Sequence, residues 1–339
     1  MNWHKEFKYR GQTLNSIAEL FERVEDAASL KFFEQWFNLE GQIAQKTSGS
    51  TGTPQIISLS KQAMRASAQA TGDYFSLGPS SKVLHVLSSD FIAGKMMWVR
   101  AFTLGWDVYT HNEQTADDFD FSAMVPLQVY QSTEDQLNRI HKLLIGGGVY
   151  NLKDLQRYKG LQTELFASYG MTETVSHIAV MSLYPIKEDC FTSLKGVRIG
   201  VDHRDCLWIE AGRINPERIQ TNDVVELLDA GHFIWKGRYD FVINSGGVKL
   251  QAESIEDRLR KAYDCDLFVA GLPDEKLGQR LVLCLEGKGL SRPSTESDKE
   301  FFSDLGLTTY ERPKEIYYIE EFIRTETKKI QRLKTLDLI

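Results

Sequence analysis

Thr47-Ser48-Gly49-Ser50-Thr51-Gly52-Thr53-Pro54 places five hydroxyl side chains and two glycines in eight positions. Glycine lets a backbone turn its N–H groups toward an anion, and hydroxyls add further donors. The composition suits a phosphate-holding loop; the bland alternative is a flexible linker. No Gly-Lys-Ser/Thr follows, so it is not a Walker A loop. β-prone Ile43 precedes it, Ile56 and Ile57 follow, and a helix is expected from near Ser60. That framing favours the loop over the linker.

Outward from this stretch, residues 41 to about 235 alternate short apolar runs with helical patterns, which predicts an α/β domain. Val83 to Leu87 and Trp106 to Tyr109 read as strands and Gly94 to Leu104 as a helix. Ser132 can cap a helix running to His141, after which Leu143 to Ile145 enters a triple glycine. On the amino-terminal side, Ile17, Leu20, Phe21 and Val24 fall at helical spacing. Phe32, Phe33, Trp36 and Phe37 form an apolar stripe that reads as packing. Past Asp240 the rhythm changes. Strands are expected at Phe241 to Ile243, Leu267 to Ala270, Leu281 to Leu285 and Ile316 to Ile319, and helices at Ala252 to Ala262 and Thr295 to Leu305. The expectation is a large α/β domain over residues 1–239 and a smaller α+β domain over 240–339.

The chain has 339 residues, 42% apolar and 26% charged, the balance of an ordinary globular protein. Its net charge of −7 and lack of a basic run argue against nucleic-acid binding. The four cysteines show no C-x-x-C pair and read as small buried hydrophobes, not a zinc site or disulfide framework. No apolar signal region opens the chain, and no stretch approaches a membrane span, so the expected location is the cytoplasm.

Two more segments carry chemistry. Tyr169-Gly170-Met171-Thr172-Glu173 combines a stacking face, a hydroxyl and a hard carboxylate suited to Mg²⁺; a plain strand-to-loop turn is the alternative. Residues 237–249 place Arg238, Asp240 and the pair Gly246-Gly247 across the expected domain boundary, where a backbone must move or approach a ligand.

Taken in order, these segments resemble the adenylate-forming superfamily of acyl-CoA synthetases, adenylation domains and luciferases over about residues 42–335. Residues 47–54 and 169–173 resemble two of its signatures. Thr221-Asn222-Asp223 resembles a third, with Asn222 for Gly, and residues 237–249 resemble the hinge. Thr325-Glu326-Thr327-Lys328-Lys329-Ile330-Gln331-Arg332 resembles the catalytic-lysine motif, with Lys328 for Gly. Within the superfamily, Phe91 to Ala101, Met171 to Ala179 and Val242 to Gly247 are most similar to short 2-succinylbenzoate–CoA ligases of menaquinone biosynthesis. Other departures are the short stretch before residue 47, Gln55 for a usual Lys, and Phe91 where many relatives carry a His.

The resemblance implies a truncated adenylate-forming fold with a mobile carboxy-terminal domain. It implies ATP, Mg²⁺ and coenzyme A, with a small carboxylic acid as substrate. In this reading Thr47, Ser48, Gly49, Ser50, Thr51, Gly52 and Thr53 hold phosphates. Glu173 binds Mg²⁺ and Thr172 touches the α-phosphate. Gly146, Gly147, Gly148, Tyr169, Gly170 and Met171 surround the adenine side. Asp223 and Arg238 hold the ribose, Gly246 and Gly247 flank the pantetheine arm, and Lys329 is the catalytic lysine, with Lys328 its rival. Lys95, Arg100 and His177 are candidates for the acid pocket. Cations that face solvent or pack on their helix, and a locally satisfied histidine, are the alternatives for those three. Another aryl- or acyl-CoA ligase, or a nucleotide binder without turnover, are the competing functions. The oligomeric state is left open, with a homodimer as one option.

Overall fold

The structure is a computed structural model describing residues 3–46, 55–110, 118–148, 157–158, 160–287, 298–325 and 329–339. Among these residues, thirteen strands form one mixed sheet, five form a second, and Gln42–Lys46 pairs with Ile56–Ser60 as a separate hairpin.

The central strands of the large sheet are parallel. In spatial order they are Asp107–Thr110, Lys82–His85, Phe119–Met124, Ile140–Ile145 and Glu164–Gly170. Helices Lys61–Phe75 and Ile92–Leu104 pack against one another beside them. The sequence explains both helices. Ser60 caps the first with its hydroxyl on the backbone N–H of Gln62 and Ala63. The second is buried nearly all round, as its unbroken apolar run requires, and ends on Gly105 in the left-handed region. Gly94 is needed there, because a Cβ would come within 2.1 Å of the Ser88 carbonyl oxygen. The stripe Phe32, Phe33 and Trp36 does pack: Phe33 lies edge-on to Trp98 at 4.8 Å.

Three expectations are corrected. The alternation of strand and helix stops at Gly170. From His177 to Arg238 the chain runs as antiparallel strands without an α-helix, since Val, Ile, Trp and Phe alternating with polar residues suit half-buried strands. Ser132 does not start a helix to His141. It closes the helix Pro126–Gln131, donating its hydroxyl back to the Gln128 carbonyl at 2.8 Å, and Thr133 caps the short helix Glu134–Asn138 through a capping box with Gln136. Of the cysteines, Cys206 and Cys284 are buried but Cys190 and Cys265 are half-buried; all four are free thiols.

The sheets change over at the 3₁₀ turn Tyr239–Phe241. Beyond it come Val242–Ser245, Val248–Gln251, Leu267–Asp274, Gly278–Glu286 and Glu315–Ile319. Helix Ala252–Leu259 packs Ile255 and Leu259 on this smaller sheet. No described helix is long and apolar enough to cross a membrane.

Candidate functional site

Ligands of parallel sheets gather at the carboxyl ends of the strands. Here Ile140–Ile145 delivers Gly146, Gly147 and Gly148 to that edge. Gly147 has φ +80°, and a Cβ on Gly146 would meet Ser168 Oγ at 2.6 Å, so the glycine backbone lies against the next strand. That strand ends at Tyr169 and Gly170. The 3₁₀ turn Thr172–Thr174 follows and packs against both Ile56–Ser60 and Asn215–Leu227. Two segments far apart in sequence are therefore neighbours: the strand leaving the hydroxyl-rich stretch and the turn bearing Glu173. Thr47, Ser48, Gly49, Ser50, Thr51, Gly52 and Thr53 lie outside the described residues, as does Lys328. The Glu173 side chain is exposed, and Met171 N–H is tied to Thr174 Oγ1 at 2.9 Å.

Asp223 is 7% exposed and has polar neighbours on both oxygens. Tyr169 donates its hydroxyl to Oδ2 at 2.7 Å and Trp235 its indole N–H to Oδ1 at 3.3 Å. Burial, then the Asp223 charge, push the Tyr169 phenol well above its usual range, so it stays a donor. The tyrosine ring lies edge-on to Phe233 at 5.1 Å. Arg238 pairs with Asp240 at 2.6 Å and lies 3.9 Å from Asp223, and its buried Nε has no hydrogen-bond partner among the described residues.

Arg100 is 2% exposed. Its guanidinium donates to Thr71 Oγ1 at 3.1 Å and Ser176 Oγ at 2.7 Å, and lies 3.4 Å from His177 Nδ1. None of these partners is an anion, and burial lowers its pKa to about 10. Burial, then the Arg100 charge, hold His177 well below its usual range, so it is neutral. Its Nε2 is buried without a hydrogen-bond partner among the described residues. Ser176 and His177 reach Arg100 through a γ-turn: Val175 has φ 65° and ψ −50°, with Ser176 N–H donating to Thr174 C=O at 2.7 Å. Neither Lys95 nor Arg100 faces solvent. Lys95 is 7% exposed and donates to Gln45 Oε1 at 2.8 Å, and burial lowers its pKa.

Lys329 lies on the loop closed by the Arg324–Ile330 bridge. Its backbone N–H donates to Thr325 Oγ1 at 3.1 Å. The residue is exposed, and desolvation of the ammonium, then the Arg238 charge, lower its pKa. Gly246 and Gly247, with φ +60° and +81°, form the two-residue turn joining Val242–Ser245 to Val248–Gln251. Thr71, Ser176 and Trp235 were not singled out from the sequence. Nothing local marks them, because each is placed by strand register or helix packing. Together the arrangement offers a carboxylate held by two donors, a cation beside it, and a second buried cation without an anion among the described residues.

The profile of the AMP-binding enzyme family matches residues 44–200. An acyl-CoA synthetase (AMP-forming)/AMP-acid ligase II-like protein of Dyadobacter fermentans is 37% identical, with 92% of this chain and 93% of that one covered and a TM-score of 0.57. The 2-succinylbenzoate–CoA ligase of Listeria monocytogenes is 25% identical over 94% of this chain and 74% of its own length. The o-succinylbenzoate coenzyme A synthetase of Bacillus subtilis, solved with ATP and magnesium ion, is 18% identical, with 87% of this chain and 69% of that one covered and a TM-score of 0.73; it shares the fold.

Proposed function

We propose a function from one premise: the chain belongs to the AMP-binding enzyme family. It is an AMP-forming acid–CoA ligase, and 2-succinylbenzoate is the acid we assign to it. The carboxylate oxygen attacks the α-phosphorus of ATP and pyrophosphate leaves. The thiol of coenzyme A then attacks the acyl carbon and AMP leaves. A carboxylic acid with a pKa near 4 is already ionised at pH 7, so the first step needs no general base. The difficulty is bringing two anions together, which calls for fixed cations and donors.

Residues divide this work. Gly146 to Gly148 and Tyr169 would flank the adenine, and Asp223 with Arg238 would hold the ribose hydroxyls. The 47–53 stretch would hold the outer phosphates and Thr172 the α-phosphate. Among the described residues Glu173 has no hydrogen bond or ion pair, and no cluster of three acidic or imidazole groups surrounds it. A single free carboxylate suits Mg²⁺, which prefers one or two carboxylates plus substrate phosphates. Bound there, the ion would neutralise phosphate charge. Lys329 would contact the attacking carboxylate and the α-phosphate, and Gly246-Gly247 would flank the incoming pantetheine.

One observation carries the choice of acid. Arg100 is a buried cation whose described partners are all neutral. A buried charge is costly unless an anion joins it. The second, unreacting carboxylate of 2-succinylbenzoate supplies that anion, with His177 and Ser176 as its neighbours. The relatives named as 2-succinylbenzoate–CoA ligases agree with this assignment. The test is acid-dependent exchange of pyrophosphate into ATP. Exchange with 2-succinylbenzoate, lost in Arg100→Met, is expected. Exchange with benzoate-like monoacids alone would instead mark a sister ligase, and no exchange with any acid would mark a nucleotide binder.

A further inference from the structure

The hydrogen bond from Trp235 to Asp223 has an unusual origin. Asp223 lies opposite Arg238 and Val224 opposite Gly237, but Val225 lies opposite Trp235. One extra residue, Lys236, has been inserted into the strand His232–Arg238. Such a bulge re-aims side chains next to it. Unbulged pairing would set Lys236 opposite Val225 on the face carrying Asp223, and Trp235 on the other face. The bulge turns Trp235 toward Asp223, where its N–H donates at 3.3 Å, while Lys236 pairs with Glu226 at 2.7 Å.

We infer that Trp235 is a positioning residue that fixes the Asp223 carboxylate for paired ribose hydroxyls and thereby sets the preference for ribonucleotides over deoxynucleotides. This rests on the reading of Asp223 as the ribose ligand. Each carboxylate oxygen accepts about two hydrogen bonds. With Tyr169 on Oδ2 and Trp235 on Oδ1, the group cannot rotate about its last bond without losing a donor, and each oxygen keeps one site for a hydroxyl. Removing the indole N–H would leave Oδ1 free to swing toward Arg238, 3.9 Å away.

The test compares ATP with 2′,3′-dideoxyATP in pyrophosphate exchange by the full chain, for the parent, Trp235→Phe and Asp223→Asn. The parent is expected to prefer ATP. In Trp235→Phe that preference falls about tenfold through KM for ATP, the worth of one hydrogen bond to a charged group, with kcat and the KM for the acid nearly unchanged. A merely structural tryptophan would lower all these quantities together. Trp235→Phe with the parent's full preference overturns the inference while leaving Asp223 in its role. A parent without preference, or Asp223→Asn with the parent's preference, overturns the ribose reading itself. Should Trp235→Phe fail to fold, the indole N–H resonances of the parent's six tryptophans decide. One must move on binding ATP and stay still with the dideoxynucleotide; no such resonance refutes the proposal.

Discussion

Val175 shows how a single residue can be made to serve its neighbours. It is β-branched, 1% exposed and held at φ 65°, a conformation costing on the order of 1–3 kcal/mol. The turn it makes sends Ser176 Oγ to Arg100 at 2.7 Å. In Val175→Gly, relief of strain opposes the loss of a buried side chain worth roughly 1.5–3 kcal/mol. Urea unfolding should therefore change little, while KM for the acid rises because the Ser176–Arg100 contact loosens; an unchanged KM would refute this. His85 acts on stability instead. Buried against Trp98, it has a pKa lowered to about 4 from 6.5. The unfolded chain binds a proton below 6.5 that the folded one refuses until about 4. Stability is thus whole above 6.5 and falls as pH drops toward 4, by about 3 kcal/mol from this residue. His85→Leu should flatten that part of the unfolding curve measured at pH 7, 6, 5 and 4.

Among the elements, the last helix, Arg332–Leu336, is tied to its neighbours by a charge at its first residue. Arg332 pairs with Glu256, itself almost wholly buried, at 2.9 Å and lies over the Phe241 ring at 4.2 Å. Arg332→Ala would leave the buried Glu256 carboxylate with Arg260 at 3.2 Å and the Val269 N–H at 2.9 Å, and cost about 1.5–3 kcal/mol, the worth of a hydrogen bond to a charged group. Denaturant titration should show this loss, and adenylation should weaken with it, because Lys329 lies three positions upstream. Glu253, on the neighbouring helix, faces the Gly237 backbone across the change of sheet; a Cβ on that glycine would meet its Oε2 at 2.5 Å. Burial lifts its pKa to about 7, opposed by Arg332 and aided by Glu256. The folded state holds a proton that the unfolded state releases above about 4.5. This contribution is full below 4.5 and is lost as pH rises through 7. Glu253→Gln, which mimics the protonated form, should remove that loss; thermal melts between pH 5 and 8 measure it.

The whole molecule joins its two sheets through helix Ala252–Leu259, which packs on the strand bearing Arg238, and Arg332, three residues past Lys329, is tied to that helix at Glu256. In the proposed reading this is how Lys329 approaches the ribose-side residues. If that approach serves the first half-reaction, Lys329→Ala should depress pyrophosphate exchange far more than thioester formation from supplied acyl-adenylate. Equal losses would argue against the assigned role.

Local chemistry alone determined much of this protein. The helix from near Ser60 and the apolar run to Leu104 each follow from residue type and short-range spacing, which a sequence displays directly. The alternation of strands and helices up to Gly170 and the change of rhythm near Asp240 were visible for the same reason. What tertiary structure decided is everything that depends on register and burial. The antiparallel course of residues 177–238 could not be told from an α/β pattern by short apolar runs. A charged side chain on a helix can face solvent or pack, and only tertiary packing decided that Lys95 and Arg100 are buried. Trp235 reaches Asp223 only because one strand carries an extra residue relative to its partner, and pairing between distant strands leaves no mark on the composition of either.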